Sequence, residues 1–175
     1  CIRDREDIVK FGANVNPLGL SASVKKEIAE NIDLFSSYPD RDYVSLRNTI
    51  AAYCQIPAEF ILPGNGSSEL ISLLIQERAP KHTLILGPTY SEYSRELSFS
   101  GSTQEYYHLR EERNFTLDVE DLCKTLENGY DFLILCNPNN PTGISIDREF
   151  LFRVLRVCRE MDILPVSYTH LTLPT

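Results

Sequence analysis

Residues 132–143, FLILCNPNNPTG, combine an apolar run with a turn rich in Asn and Pro. The apolar run, FLILC, predicts a strand that is buried on both faces, and such strands are typical of parallel sheets. The strand stops in a turn where Pro138 and Pro141 restrict the backbone and Gly143 lets it leave in a new direction. The turn therefore holds several asparagine amides at the carboxyl end of a buried strand.

Outward from this stretch, apolar runs that predict strands alternate with segments of helical periodicity. The predicted strands lie at 83–87, 103–109, 131–136 and 163–166, and predicted helices include 67–77, 117–126 and 147–161. Strands alternating with helices of these lengths predict a mostly parallel sheet that is covered on both faces. The fold class is therefore α/β, with a three-layer αβα arrangement.

The N-terminal part of the chain has helical periodicity without a predicted strand. Ser21 or Ser23 is a candidate N-cap for a first helix. Apolar residues form a stripe on this helix: Val24, Ile28, Ile32 and Phe35. A second helix follows, and its apolar residues are expected to face inward: Leu46, Ile50 and Tyr53.

The overall composition excludes several function classes. A net charge of −8 argues against a general binder of nucleic acids or anionic membranes. The five cysteines form neither a CxxC pair nor a Cys/His cluster, which favours reduced thiols over disulfides or a metal site. No apolar stretch reaches the roughly 18 residues that a membrane span needs. We therefore expect a cytoplasmic protein that binds a small molecule and no metal.

Ligands of open parallel sheets bind beyond the carboxyl ends of the strands, and three loops of this chain fall there. In PGNGSSE, residues 63–69, Gly64 and Gly66 permit a tight bend before a helix that opens with Ser67 and Ser68. Free N–H groups at a helix start, with two hydroxyls beside them, can hold a phosphate. The alternative is that one of the serines only caps the helix.

The other two loops offer an aromatic ring and a set of amides. In GPTYSEY, residues 87–93, Tyr90 can lie against a flat ring, or it can be an ordinary core or surface aromatic. In CNPNNPTG, residues 136–143, an asparagine held between prolines can donate to a ligand oxygen, or it can serve only the turn. Together the loops describe a planar heterocycle with a phosphate and a ring hydroxyl, such as pyridoxal phosphate. A mononucleotide also fits, but it usually requires a ribose-binding acid and a different glycine pattern.

In this order and spacing, the motifs resemble those of the class I/II aminotransferases of pyridoxal-phosphate fold type I. The resemblance runs from about Phe11 to Val166 and is nearest to the branch of histidinol-phosphate aminotransferase and threonine-phosphate decarboxylase. It rests on NVNPLG at 14–19, YPD at 38–40, LPGNGSSELI at 62–71, GPTYSEY and CNPNNPTG. It implies an incomplete large domain of fold type I. It also implies that the full-length protein is a pyridoxal-phosphate-dependent transferase that works through a Schiff base.

The resemblance assigns cofactor-binding roles to residues that match these motifs. Ser67 and Ser68, with the bend at Gly66, would bind the cofactor phosphate. Tyr90 would stack on the pyridine ring, and Asn140 would bind the oxygen of the ring hydroxyl. The substrate would be an amino acid or an amino-phosphate.

Further roles follow from the same resemblance. Tyr38 would reach the cofactor phosphate of a neighbouring subunit, which implies a homodimer with shared sites. Asn16 would lie near polar groups of the substrate. Asn137 and Asn139 are expected to hold the turn and not to bind a ligand.

No catalytic residue is expected within this chain, and the fragment itself is expected to be inactive. The resemblance implies that the Schiff-base lysine lies beyond its end, and Ser167 stands where the family has an Asp that pairs with the pyridine nitrogen. We also expect truncation at both ends, because the chain begins at Cys1 without an initiator Met and VSYTHLTLPT at 166–175 resembles one reading frame of a sequencing adapter. The predicted organisation is an N-terminal arm and first helix at 1–37, a partial cofactor-binding domain at 38–165 and a non-native tail at 166–175.

Three functions agree with the sequence. An aminotransferase is favoured. A decarboxylase of the threonine-phosphate type would use the same cofactor, and Val15 favours it, because the aminotransferases more often have an acidic residue there. The third is a non-catalytic regulatory module that has the aminotransferase fold.

Overall fold

The computed structural model describes residues 16–169. The chain divides into two compact units between Ile61 and Leu62, called below the N-terminal unit (residues 16–61) and the sheet unit (residues 62–169). The division predicted from motifs begins the large domain at Tyr38; it concerns the full-length protein and stays a prediction. Val15 and the adapter-like residues from His170 onward lie outside the described residues.

The N-terminal unit consists of two α-helices, α1 (Ala22–Glu30) and α2 (Val44–Cys54), each followed by a short 3-10 helix. Ser21 is the N-cap of α1, and its Oγ accepts a hydrogen bond from Val24 N at 3.3 Å. This bond satisfies one of the free N–H groups of the first turn, as the sequence predicts.

None of residues 16–61 is buried. Leu46 and Tyr53, which were expected to face inward, are 47% and 67% exposed, so this prediction is wrong. Val24 and Ile28 on the stripe of α1 are exposed as well. The physical reason is that two helices of nine and eleven residues offer too little surface to enclose a core between them.

The sheet unit is a four-stranded parallel sheet with the strand order β2-β1-β3-β4. Its elements are α3 (Ser67–Arg78), β1 (His82–Gly87), α4 (Glu92–Ser100), β2 (Thr103–His108), α5 (Val119–Leu126), β3 (Phe132–Cys136), α6 (Arg148–Glu160) and β4 (Leu164–Tyr168). The α/β class and the mostly parallel sheet are confirmed.

Alternating side chains along the central strands β1 and β3 give the core two faces. Leu84 and Leu133 belong to a cluster that includes Leu122 of α5 and Val154 of α6. On the opposite face, Ile85, Phe132 and Ile134 belong to a cluster with Ile75 of α3 and Tyr93 and Leu97 of α4. The helices therefore cover both faces, which confirms the three-layer arrangement.

Candidate active site

The carboxyl ends of β1 and β3 bring two of the three loops together. Ile85 is paired with Ile134 in the parallel register, so the two strands end side by side at Gly87 and Cys136. A hydrogen bond joins the loops that follow: Asn139 Nδ2 donates to Pro88 O at 2.9 Å. Tyr90 and Asn140 therefore lie on two loops that are bonded to each other.

The third loop precedes α3. The direction of α3 places this loop at the same edge of the sheet as the loops that follow β1 and β3. Ile75 of α3 is buried against the sheet, and Ile71 and Leu74 pack beside it. Only Ala79–Lys81 separate the end of α3 from the start of β1. Because so short a connection makes the helix run antiparallel to the strand, the start of α3 at Ser67 lies toward the carboxyl ends of the strands.

The start of α3 combines a left-handed glycine with an absence of side-chain capping. Gly66 is the N-cap, with φ of 84°, a conformation that an L side chain rarely adopts. No side-chain hydrogen bond caps this helix, so the capping alternative for Ser67 or Ser68 is not observed. Glu69 instead stabilises the bend, since its carboxylate accepts a hydrogen bond from Asn65 N. The two hydroxyls lie beside uncapped N–H groups.

The asparagines of the turn after β3 divide into two that hold it and one that does not. Asn137 Oδ1 accepts a hydrogen bond from Ile146 N at 2.8 Å, and Asn139 N donates to Ile144 O at 2.8 Å. The prediction that Asn137 and Asn139 hold the turn is confirmed. Within residues 16–169 the half-buried Asn140 amide makes no side-chain hydrogen bond, so it is available to a ligand.

Three tyrosines cluster beside the end of β3. Tyr90 meets Tyr93 edge to face, with ring centroids 5.7 Å apart, and it stacks at 27° to Tyr168 with centroids 6.5 Å apart. Sequence reasoning gave no role to Tyr93, and Tyr168 falls within the predicted adapter tail at 166–175. Tyr93 stands in the GPTYSEY motif itself, three residues after Tyr90, and that spacing could have identified it. Because side chains alternate along β4, position 168 faces this cluster, whereas Ser167 is exposed on the other side.

Two buried hydroxyls at this edge, Thr89 Oγ1 and Tyr93 OH, make no hydrogen bond within the described part of the chain. Burial and the neighbouring Cys136 thiol raise the pKa of the Tyr93 phenol far above its ordinary value. A buried polar group without a partner destabilises its site until water or a ligand pairs with it.

The remaining two predicted site residues lie in the N-terminal unit. Tyr38 is fully exposed. The Asn16 side chain is used within its own turn: Oδ1 accepts a hydrogen bond from Leu18 N at 3.0 Å, and Nδ2 donates to Gly19 O at 3.2 Å. Their roles toward a cofactor and a substrate stay predictions.

Comparison with known families shows which family the chain belongs to. The family described as Aminotransferase class I and II matches residues 6–167. The chain belongs to this family. The resemblance seen in the motifs is thereby confirmed, and the family is one of pyridoxal-phosphate enzymes that act on small molecules.

Individual members of the aminotransferase family show how much of a relative the chain covers. Threonine-phosphate decarboxylase of Salmonella typhimurium is 36% identical over 158 residues, which is 90% of this chain and 43% of that protein. Histidinol-phosphate aminotransferase of Desulfitobacterium hafniense is 33% identical over 168 residues, 93% of this chain and 47% of that protein. The crystal structure of histidinol-phosphate aminotransferase from Clostridium acetobutylicum matches with a TM-score of 0.78 and 33% identity, over 89% of this chain and 45% of that one. The chain thus spans less than half the length of these relatives.

Lysine is the residue that binds pyridoxal phosphate covalently, and the lysines of the sheet unit lie away from the candidate site. Lys81 directly precedes β1, and Lys124 lies in the last turn of α5, which leads into β3. Both therefore lie toward the amino ends of the strands, opposite to Tyr90 and Asn140.

Two other kinds of site were sought in the part of the chain that the structure describes: metal centres and membrane-spanning helices. Residues 16–169 contain no group of three or more His, Cys, Asp or Glu side chains placed to hold a metal ion. Among the helices within that range, none has both the length and the apolar character needed to cross a membrane. Cys136 and Cys158 are buried free thiols, and burial raises the pKa of Cys158 to about 11.

Proposed function

We propose that this chain is part of a pyridoxal-phosphate-dependent aminotransferase that acts on an amino acid or an amino-phosphate. The observation that carries the proposal is the pair of bonded loops at the ends of β1 and β3, which present the Tyr90 ring and the unpaired Asn140 amide at one edge. A threonine-phosphate-type decarboxylase is the second candidate, favoured by the 36% identity to the Salmonella enzyme of that name.

The residues at this edge fit pyridoxal phosphate. Uncapped N–H groups at the start of α3 and the hydroxyls of Ser67 and Ser68 suit a phosphate dianion, which the positive end of the helix dipole also favours. The left-handed bend at Gly66 leaves open space beside the backbone, since a Cβ placed there would meet no atom within 4 Å. Tyr90 supplies a stacking face, and Asn140 supplies an amide donor for the ring hydroxyl oxygen.

Each of these residues binds or orients, and none transfers a proton. Pyridoxal phosphate, when bound, supplies an electron sink for breaking a bond at the Cα of an amino substrate. Tyr90 and Asn140 would fix the plane of the ring, and the helix start with Ser67 would fix the phosphate. The substrate bond that stands perpendicular to that plane is the one activated, so ring orientation and substrate orientation together select the reaction.

The residues of the N-terminal unit complete the proposal. Asn16 would contact polar groups of the substrate. Tyr38 would reach the cofactor phosphate of a second subunit in a homodimer, and its full exposure supports this, because the phenol is accessible to a partner chain. The unpaired thiols support a reducing, cytoplasmic location.

The chain by itself would bind the cofactor without turnover; in support of this, the lysines of the sheet unit, Lys81 and Lys124, lie at the strand ends opposite to Tyr90 and Asn140. Catalysis would require a lysine from the full-length protein. Turnover of an amino donor by this purified chain would contradict the inactivity.

A binding titration tests the proposal on the chain itself. Pyridoxine 5′-phosphate is the probe, since it has the ring, hydroxyl and phosphate but no aldehyde to react with surface lysines. We expect Tyr90→Ala to weaken binding about tenfold, the effect of losing a stacking contact of about 1.4 kcal/mol. Tyr53→Ala, at an exposed tyrosine of α2, is the matched control and should bind as the unaltered chain does. Equal affinity of the unaltered chain and the Tyr90→Ala variant would reject the proposal.

The two candidate reactions separate on the full-length protein. Transfer of an amino group to a keto acid would establish the aminotransferase, whereas release of CO2 from phosphothreonine would establish the decarboxylase. Resequencing beyond the codon for Val166 tests the predicted adapter tail, and native sequence that continues as SYTHLTLPT would defeat that prediction.

A further inference from the structure

We propose that Asn139 is a positioning residue whose side-chain amide sets the spacing between the loop of Tyr90 and the loop of Asn140. This inference rests on the proposed function and goes beyond it, because the family motifs give Asn139 no role toward the ligand. It concerns two loops that are 51 residues apart in the chain at their point of contact.

Asn139 is a buried polar side chain whose amide donors are both used. It is 7% exposed. One hydrogen of Nδ2 goes to Thr142 Oγ1 at 2.9 Å within its own turn, and the other goes to Pro88 O at 2.9 Å on the neighbouring loop. Its backbone is held as well, since Asn139 N donates to Ile144 O at 2.8 Å. The amide is thus fixed on one loop and bonded to the other.

The two bonded residues are close in sequence to the two ligand groups. Pro88 lies two positions before Tyr90, and Asn139 directly precedes Asn140. Losing the hydrogen bond between Asn139 and Pro88 would leave the Tyr90 and Asn140 side chains intact. The distance between these two side chains would then no longer be fixed. Stacking is sensitive to such a change, because a gap of about 0.5–1 Å already removes roughly a quarter to a half of a van der Waals contact.

The chemistry of the bond requires an amide. Pro88 O is an acceptor only, so the group that faces it must be a donor. A carboxylate of the same size would place an acceptor against this carbonyl and would repel it. Asn139→Asp therefore breaks the contact between the loops at nearly constant volume.

A control in the same turn comes from Asn137. Its side chain acts through Oδ1, which accepts a hydrogen bond from Ile146 N at 2.8 Å. A carboxylate at this position still accepts that bond, so Asn137→Asp keeps the turn and adds the same negative charge. Comparing the two variants separates the loss of the bond between loops from the added charge near a phosphate ligand.

Hydrogen exchange of the ligand-free chain measures the contact itself. We expect amides in residues 87–93 to exchange about tenfold faster in Asn139→Asp, which corresponds to one lost hydrogen bond, and to be unchanged in Asn137→Asp. Unchanged exchange of this segment in Asn139→Asp would overturn the proposal, and so would faster exchange spread over the whole sheet unit. If Asn139→Asp does not fold, Asn139→Ala removes the donor without adding a repulsive charge.

Titration with pyridoxine 5′-phosphate measures the consequence for the site. We expect the dissociation constant to rise about tenfold in Asn139→Asp and by less than about twofold in Asn137→Asp. Faster loop exchange with unchanged affinity would overturn the positioning role and leave a structural contact only. Binding that is absent in the unaltered chain would reject the proposed cofactor binding by this chain and with it the positioning role. Binding that is present but insensitive to Asn139 would reject the inference alone.

Discussion

Helices α1 and α2 of the N-terminal unit and helices α4 and α5 of the sheet unit have similar lengths, between eight and eleven residues. Their burial differs. None of residues 16–61 is buried, whereas Leu97 of α4 and Leu122 of α5 are completely enclosed. An apolar stripe on a short helix is therefore buried only where another apolar surface covers it.

The sheet supplies that surface in the sheet unit. Successive residues of β3, such as Leu133 and Ile134, point to opposite faces, so one strand contributes to two apolar surfaces at once. Helices of this length are marginal in water by themselves and are stabilised mainly by packing of their apolar face. Stability should therefore be distributed unequally between the two units, and two predictions test this.

The largest expected effect comes from truncating a leucine in each unit. Leu133→Ala removes a side chain that is 0% exposed and should lower the free energy of unfolding of the sheet unit by about 2–5 kcal/mol. Leu34→Ala removes a side chain that is 68% exposed and should change the free energy of unfolding by less than about 0.5 kcal/mol. Urea unfolding followed by circular dichroism measures both, and equal effects of the two variants would contradict the comparison.

A smaller effect is expected from removing a helix cap in each unit. Ser21 caps α1, and Asp118 caps α5 by accepting a hydrogen bond from Asp121 N at 3.2 Å. Because α5 is docked on the core, Asp118→Ala should lower the urea midpoint of the sheet unit. Ser21→Ala should reduce helix content but leave that midpoint unchanged. A shift of the sheet-unit midpoint by Ser21→Ala would break the distinction between the units.

The smallest expected effect is on the acid stability of the sheet unit. Hydrogen bonds from Tyr130 OH at 2.7 Å and with His82 Nε2 at 2.9 Å hold the pKa of the Glu105 carboxyl below its ordinary value. Since the pKa is lower in the folded than in the unfolded chain, this contribution to stability is present above the ordinary glutamate value of 4.5 and is lost as the pH falls through the lowered folded pKa.

Thermal unfolding across the acid range measures this contribution. Glu105→Gln should lower the midpoint at neutral pH and make its decline toward acid pH shallower than in the unaltered chain. Glu77→Gln, at an exposed glutamate of α3, is the control and should keep the original pH profile. A Glu105→Gln profile parallel to that of the unaltered chain would show that the hydrogen bonds to Glu105 contribute nothing to acid stability.

Sequence reasoning predicted the sheet unit well because its signals are local. The apolar runs around Leu84 and Leu133 identified the central strands, and Ser21 identified the start of α1. It went wrong for Leu46 and Tyr53, because periodicity shows which residues share a face of a helix but not whether another surface covers that face.

For the candidate site, the sequence by itself determined the chemistry of each loop: a glycine bend before two serines, a tyrosine after a strand, and amides between prolines. These are properties of a few consecutive residues and of their backbone preferences. The partners of these amides came only from the folded chain: Asn139 Nδ2 donates to Pro88 O, and Asn137 Oδ1 accepts from Ile146 N. The folded chain also shows that Tyr168 rather than Ser167 faces Tyr90. The reason is that these outcomes depend on contacts between parallel strands and their loops, which join residues far apart in the chain and leave no local pattern in the sequence.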